Sequence, residues 1–313
     1  KLYNDTFNAR VVPKYDGKNL SINGTNALKP LREHQKNVIQ RVISSGGNTL
    51  ISHAVGAGKT YEMAASAMKL KQLGLVNKPV FVVPKTLVAQ WGVEFHDYFP
   101  TARLLVADDG SFSPDNRKVF INRIANGAYD AVILSYEQFE KVKMSDSYTE
   151  QFYREQIDEV IAAIEDERAS NNKNSLSVKE LEKKRKQLQY KIDKLTSKAK
   201  DEDNITFEQL GIDSIFVDEA HNFKNLEYVT NMNNISGLGN KQGSARAFDL
   251  YTKVRYLQQL NNGRGIVFAT ATPVMNSMSE MYVMQKYLQP DLLKSLGINS
   301  FDAWAKQFGE VVN

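Results

Sequence analysis

Along the chain, short apolar runs of four or five residues alternate with longer stretches in which apolar positions recur every three or four. The short runs fall at 49–52, 80–83, 104–107, 131–135, 215–218 and 266–270. Val80-Phe81-Val82-Val83 and Ala131-Val132-Ile133-Leu134 are continuously apolar, as strands buried on both faces are. Helical spacing fills the intervals at 34–44, 59–73, 87–98, 116–125, 247–260 and 278–288. This alternation predicts an α/β domain of three layers, a mostly parallel sheet with helices on both sides. Residues 1–30 carry Pro13, Gly17, Gly24 and Pro30 and read as a lead-in segment with room for one strand pair. No internal repeat is visible.

Residues 151–200 break the rhythm: they contain no strand signal, no Gly and no Pro. Ile157, Val160, Ile161 and Ile164 form one helical stripe, and Leu181, Leu188, Ile192 and Leu195 form another. The polar run Asn171-Asn172-Lys173-Asn174-Ser175 between them is turn chemistry. The prediction is an inserted antiparallel helical hairpin spanning about 145–205, each arm roughly 30 Å long. Its arms differ in charge. Residues 151–170 hold two basic and six acidic side chains, whereas 171–200 hold ten basic and three acidic.

Composition removes several kinds of chemistry. There is no cysteine among the 313 residues, so disulfides, thiolate zinc sites, iron–sulfur clusters and cysteine nucleophiles are excluded. The four histidines (His34, His53, His96 and His221) are scattered in sequence, which argues against a histidine-built metal site. A mean hydropathy of −0.43 and the absence of a long apolar run argue against a membrane span. No signal peptide precedes Lys1, so a cytoplasmic protein, or a piece of one, is expected. The net charge of +4 is too small to establish a nucleic-acid partner, and most of it lies in the hairpin.

The strongest local signal is the apolar run ending at Ser52, followed by His53-Ala54-Val55-Gly56-Ala57-Gly58-Lys59-Thr60 and an Ala/Met-rich helix. Strand, glycine-bearing loop and helix opening at Gly-Lys-Thr form a phosphate-binding loop, or P-loop. Backbone N–H groups from Val55 to Thr60 and the helix N-terminus face the phosphates, where partial positive charge favours anions. Lys59 would reach the β and γ phosphates, and the Thr60 hydroxyl would ligate Mg²⁺. His53 stands where the common G-x-x-x-x-G-K-[ST] pattern has its first glycine, which leaves the shorter x-x-G-x-G-K-T form. The alternative is a Gly-rich turn that merely caps a helix.

The run 215–217 leads into Asp218-Glu219-Ala220-His221. Paired carboxylates at a strand end suit Mg²⁺-dependent phosphoanhydride hydrolysis: Asp218 would hold the metal and Glu219 would polarise the attacking water. Alone, the same pair could be solvated acids at a strand end. With Gly-Lys-Thr upstream, ATP and Mg²⁺ are the expected ligands.

In this order, Leu31-Arg32-Glu33-His34-Gln35, the Gly-x-Gly-Lys-Thr loop, Asp218-Glu219-Ala220-His221 and Thr270-Ala271-Thr272-Pro273 resemble helicase superfamily two. Val82-Val83-Pro84-Lys85-Thr86-Leu87 with Gln90-Trp91, Asp130 through Glu137, Lys224-Asn225 and Asn276 make the likeness strongest to Swi/Snf-type DNA translocases. A finer likeness is to the motor regions of large phage- or plasmid-borne proteins that combine such a motor with a DNA-methylase region. The resemblance spans about 31–290. It implies a RecA-like, DEAH-box fold, with Gln35 reading the adenine edge. It also implies that Pro84, Lys85, Thr86, Ser135 and Tyr136 lie along a DNA backbone track. Thr270 and Thr272 would couple nucleotide state to DNA grip, and His221 would link them to the acid pair rather than bind metal.

Such motors use two RecA-like lobes, the second supplying an arginine finger. After Thr272 too little chain remains for a second sheet, so residues 31–313 are expected to be the first lobe alone, weak or inactive by itself as an ATP hydrolase. The expected activity is ATP-driven movement on double-stranded DNA. The expected partners are DNA, the second lobe and a fused methylase or nuclease domain. Alternatives are the motor lobe of a restriction or defence system, or a non-catalytic nucleic-acid-binding scaffold, against which intact Lys59, Thr60, Asp218 and Glu219 argue. The Lys-rich hairpin arm (Lys183, Lys184, Arg185, Lys186, Lys191, Lys194 and Lys198) would touch DNA or the second lobe, or else be a solvated face paired to the acidic arm.

Overall fold

The computed structural model describes residues 13–169, 176–197, 205–228, 230 and 243–309. Six strands, β1 (Thr49–Ile51), β2 (Pro79–Val83), β3 (Leu104–Val106), β4 (Ala131–Ser135), β5 (Ser214–Val217) and β6 (Ile266–Ala269), form one sheet. Its order is β1-β6-β5-β2-β4-β3 and every pairing is parallel. All six runs read from the sequence are strands, with no end displaced by more than one residue.

The continuous apolar runs are explained by helices on both faces. Phe81, Val83, Ile133, Phe216, Val267 and Ala269 point toward α1 (Glu33–Ser44), α2 (Lys59–Gln72) and α3 (Val88–Tyr98). Their strand neighbours Val80, Val82, Val132, Leu134, Ile215, Val217 and Phe268 point the other way. There they meet α4 (Arg117–Asn126), α5 (Tyr136–Lys141), α8 (Ala245–Leu260) and α9 (Met278–Leu288). Two short helices, α10 (Pro290–Ser295) and α11 (Phe301–Phe308), close that second face through Leu293, Phe301 and Trp304. The result is the expected three-layer α/β domain.

The hairpin forms as α6 (Asp146–Ala169) and α7 (Leu176–Thr196). Val160, Ile164, Val178, Leu181 and Leu188 make a separate small core between them. Arg168 pairs with Glu182 at one end while Lys191 lies over the Tyr153 ring at the other, which fixes the antiparallel sense. The polar turn, and Lys198, lie outside the described residues. Phe152 enters the main core and packs edge-on to Phe248 and Tyr251 of α8, so the hairpin base is anchored.

The lead-in differs from expectation: residues 13–30 contain turns and extended chain but no strand. Its backbone groups find side chains and helix ends instead of a strand partner. Asn26 donates through its backbone N–H to Tyr98 O and through its amide to Asp97 O, and Tyr61 Oη donates to Lys29 O. Residues 1–12 lie outside the described residues.

Candidate nucleotide site at the strand ends

Parallel strands all present their carboxyl ends at one edge, the place where open α/β sheets bind ligands. Here β1, β6 and β5 are adjacent, so the loop after β1, the Thr270 segment and the acid pair leave neighbouring strands side by side. The Thr270 N–H donates to Ile51 O of β1, and the Asp218 N–H to Val82 O of β2, which ties these ends together.

The loop after β1 turns through two left-handed glycines, Gly56 (φ 82°) and Gly58 (φ 91°), and α2 begins at Lys59. A side chain at Gly58 would be strained by that φ and would also collide with the Gln35 amide. The requirement for glycine is therefore local and specific. Gln35, nearly buried, accepts from the Arg32 N–H at 2.9 Å and donates to Ala57 O at 3.3 Å. It thus holds α1 against the loop. Lys59 Nζ donates to His53 O and Ala54 O at 3.2 and 3.3 Å, so its ammonium sits over the loop's own carbonyls. Val55 is exposed at the tip of the loop.

At the end of β5, Asp218 is 7% exposed. Its Oδ2 accepts from Trp91 Nε1 at 3.0 Å and its Oδ1 from the Glu219 N–H at 2.9 Å. Burial pushes its carboxyl above the usual range, against the downward pull of the Trp91 bond. Glu219 adopts a left-handed conformation (φ 47°), uncommon for a residue with a side chain. His221 Nδ1 lies 2.9 Å from Thr270 Oγ1 and 3.1 Å from Glu219 Oε2, bridging acid pair and Thr270. Thr270 Oγ1 also accepts from the Thr272 N–H, and Thr272 is exposed.

The residues expected along a DNA track divide into two groups. Lys85 and Thr86 are exposed in a 3-10 turn that follows Pro84, and Lys85 Nζ reaches Asp109 at 3.0 Å. Ser135 and Tyr136 point inward instead. The Ser135 hydroxyl accepts from the Gln138 N–H as the cap of α5, and the Tyr136 hydroxyl donates to Asp218 O at 2.7 Å. The reason is position: Ser135 ends β4 and Tyr136 opens α5, whose first turn must be capped, and Tyr136 lies against Phe223. Both side chains are buried, and that of Tyr136 braces the acid pair from within.

Sequence reading passed over Trp91 as a partner of Asp218 and Tyr136 as a support for it. It also passed over Glu62, a carboxylate in an otherwise Ala/Met-rich helix, which was the available signal. Glu62 is fully buried, its Oε1 lies 2.9 Å from His53 Nδ1, and its Oε2 has no hydrogen-bond partner. Burial pushes its carboxyl up, with His53, His34 and Lys59 pulling the other way. Arg246, with no role readable from sequence, ion-pairs with Glu137 and Glu140 and covers the Tyr136 ring. A cavity of about 310 Å³ opens at the opposite end of the sheet beside Val42, Leu70, Arg264 and Ile266, away from these groups.

Residues 41–312 match the family described as Probable helicase domain. The chain belongs to this family. Nearly all of the helicase-family chain (98%) is 25% identical, over 353 aligned positions, to Defense against restriction protein B of Escherichia phage P1. That match covers 15% of the phage protein. A shorter stretch of 77 residues, 25% of the chain, is 32% identical to part of a Caenorhabditis elegans protein. That protein is the SWI/SNF-related matrix-associated actin-dependent regulator of chromatin subfamily A containing DEAD/H box 1 homolog, and 8% of it is covered. Among solved structures, the Sulfolobus solfataricus SWI2/SNF2 ATPase core in complex with dsDNA aligns over 96% of this chain and 43% of that one. The identity is 15% and the TM-score 0.47. The helicase-family chain spans a small part of the length of its curated relatives. Among the described residues no helix is long and apolar enough to cross a membrane.

Proposed function

We propose that this chain is the first RecA-like lobe of an ATP-dependent motor that moves along double-stranded DNA. The supporting observation is the meeting of Gly56–Thr60, Asp218-Glu219 and Thr270 at three adjacent parallel strand ends, with His221 joining the last two. The lobe assignment draws on the single parallel sheet among the described residues and on the order of the motifs along it.

Each group has a chemical task. The α2 N-terminus and the loop N–H groups bind the phosphate oxygens of ATP, and Lys59 leaves the loop carbonyls to neutralise the β and γ phosphates. Gln35, already at the loop, reads the adenine edge. The hydroxyl of Thr60 and the carboxylate of Asp218 are hard oxygen donors that fit Mg²⁺, which when bound supplies charge neutralisation on the phosphates. Glu219 accepts the proton of the attacking water. His221 and Thr270 pass the state of that carboxylate to the Thr270–Thr272 segment. Pro84, Lys85 and Thr86 grip DNA phosphates from the exposed turn after β2.

Binding of a fluorescent ATP analogue and phosphate release, each with and without duplex DNA, test this reading. Glu219→Gln should keep binding and lose hydrolysis, whereas nucleotide affinity unchanged in Lys59→Ala overturns the proposal. On this reading the finger arginine is supplied by a second lobe, so this chain alone should turn over slowly. Strong DNA-stimulated turnover by this chain alone refutes the lobe assignment. A second reading is a motor lobe that acts where DNA meets a restriction or defence system, since the phage P1 relative is named for defence against restriction. A nuclease or methylase fused in the full-length protein distinguishes the two.

A further inference from the structure

His34, His53 and Glu62 come from three different elements: the start of α1, the first residue of the P-loop and the first turn of α2. Far apart in sequence, they each bring one donor atom to a cluster in which all three atoms lie within 4.8 Å of one another. His53 Nδ1 is 2.9 Å and His34 Nε2 3.8 Å from Glu62 Oε1, and the two rings stand 5.7 Å apart. Zinc bonds of about 2.0–2.2 Å in a tetrahedral arrangement place neighbouring donors about 3.3–3.5 Å apart. The observed separations bracket that value.

The geometry points to a binding site for a borderline divalent transition-metal ion, zinc being the probe of choice, formed by His34 Nε2, His53 Nδ1 and the Glu62 carboxylate. The buried carboxylate is the first independent reason. The Glu62 side chain is 0% exposed and its Oε2 has no hydrogen-bond partner, which leaves a buried carboxylate oxygen for a cation to bind. Access is the second: the His34 and His53 side chains are 44% and 29% exposed, so one side stays open to solvent for a fourth ligand. The donor set is the third. Two imidazoles and one carboxylate favour zinc and its neighbours over Mg²⁺, which requires oxygen ligands and is served instead by Thr60 and Asp218.

In the metal-free arrangement the same nitrogens serve hydrogen bonds, His53 to Glu62 and His34 Nε2 to Ala57 O at 3.0 Å. Metal binding replaces both of these hydrogen bonds. The ion would staple α1, which carries Gln35, to the P-loop and to α2. The site thus offers a control on loop movement that is separate from the catalytic cation.

The test is zinc titration of the intact chain by calorimetry and by competition with a chromophoric chelator, in excess Mg²⁺. X-ray absorption then reads the ligand atoms. One equivalent of zinc with nitrogen and oxygen neighbours is expected, with affinity at least tenfold weaker in His34→Ala, His53→Ala and Glu62→Gln and unchanged in Asp218→Asn. His34 is partly exposed, so His34→Ala should fold normally and decides the matter if the other two variants unfold. Zinc affinity unchanged in His34→Ala, no bound equivalent in the wild type, or loss of zinc in Asp218→Asn each overturns the proposal.

Discussion

The P-loop with its acid pair and the helical hairpin are held together in opposite ways. Around the loop, each key side chain is tied to a different element: Lys59 to the loop carbonyls, Asp218 to Trp91 of α3, His221 to Thr270 after β6. In the hairpin the stripe of apolar side chains is private, and several surface charges pair within the two arms, as Arg154 does with Glu150 and Arg185 with Glu182. One region is a knot of long-range contacts, so a change there should reach the chemistry. The other is a local unit joined to the body at its base, so a change there should stay local.

The joint between them offers the most severe way to break that contrast. Lys253 of α8, the helix that receives the hairpin, is fully buried, donating to Phe139 O at 2.8 Å and pairing with Asp249 at 2.6 Å. Lys253→Ala removes a fully buried side chain and leaves the half-buried Asp249 without this partner, and should cost about 3 kcal/mol in urea unfolding. Burial pulls the Lys253 ammonium down to about 8. Above that pH the native state has lost a proton that the unfolded chain keeps until about 10.4. Stability should therefore rise with pH between about 8 and 10 in the wild type, and the slope should be smaller in Lys253→Met, with Lys286, also pulled down to about 8 by burial, keeping its share. Buried tyrosines such as Tyr251, raised by burial, act in the other direction, but only above about pH 10.

Next in size is Lys59→Ala, expected to lower hydrolysis about 10²–10³-fold while leaving the unfolding midpoint nearly unchanged. Phosphate release and thermal unfolding on the same sample separate the two effects. In the hairpin, Leu181→Ala should cost about 2–3 kcal/mol. Hydrogen exchange should show that loss in α6 and α7 only, and weakened nucleotide binding in this variant would end the claim of independence. Trp91→Phe removes one donor from Asp218, and Mg²⁺-dependent nucleotide affinity should fall about tenfold or more, as for other partners that orient metal ligands. Smallest is neutralisation of Lys183, Lys186 and Lys194, all exposed on α7. Stability should change by less than about 0.5 kcal/mol. If the arm contacts DNA in the complete motor, the salt slope of binding should fall by about one per lysine.

The lysine arm shows why charge runs are hard to read from sequence. Lys184, within the run, pairs with Glu227, and Lys191 lies over the Tyr153 and Phe248 rings, so part of the arm serves to seat the hairpin. Lys183, Lys186 and Lys194 stay exposed on the same helix. Nothing in the one-dimensional spacing separates the two sets, because Glu227 and Phe248 come from other parts of the chain. The inward turn of Ser135 and Tyr136 has the same origin. Their place after a buried strand was legible, but the choice between capping α5 and facing outward depends on what packs against that turn.

The sequence by itself determined the six strands, the helices between them, the inserted hairpin, and the loop and acid pair on separate strand ends. These follow from local rules: apolar runs buried on both faces, glycine where φ must be positive, periodicity along a helix. Only the tertiary structure decided which strand ends are neighbours. The order β1-β6-β5 brings residues more than two hundred positions apart into one edge. It also decided that Trp91 and Tyr136 support Asp218, and that two of four scattered histidines meet a buried glutamate. Such contacts are set by parallel pairing and by the packing of α1 on α2, and neither leaves a mark in local spacing.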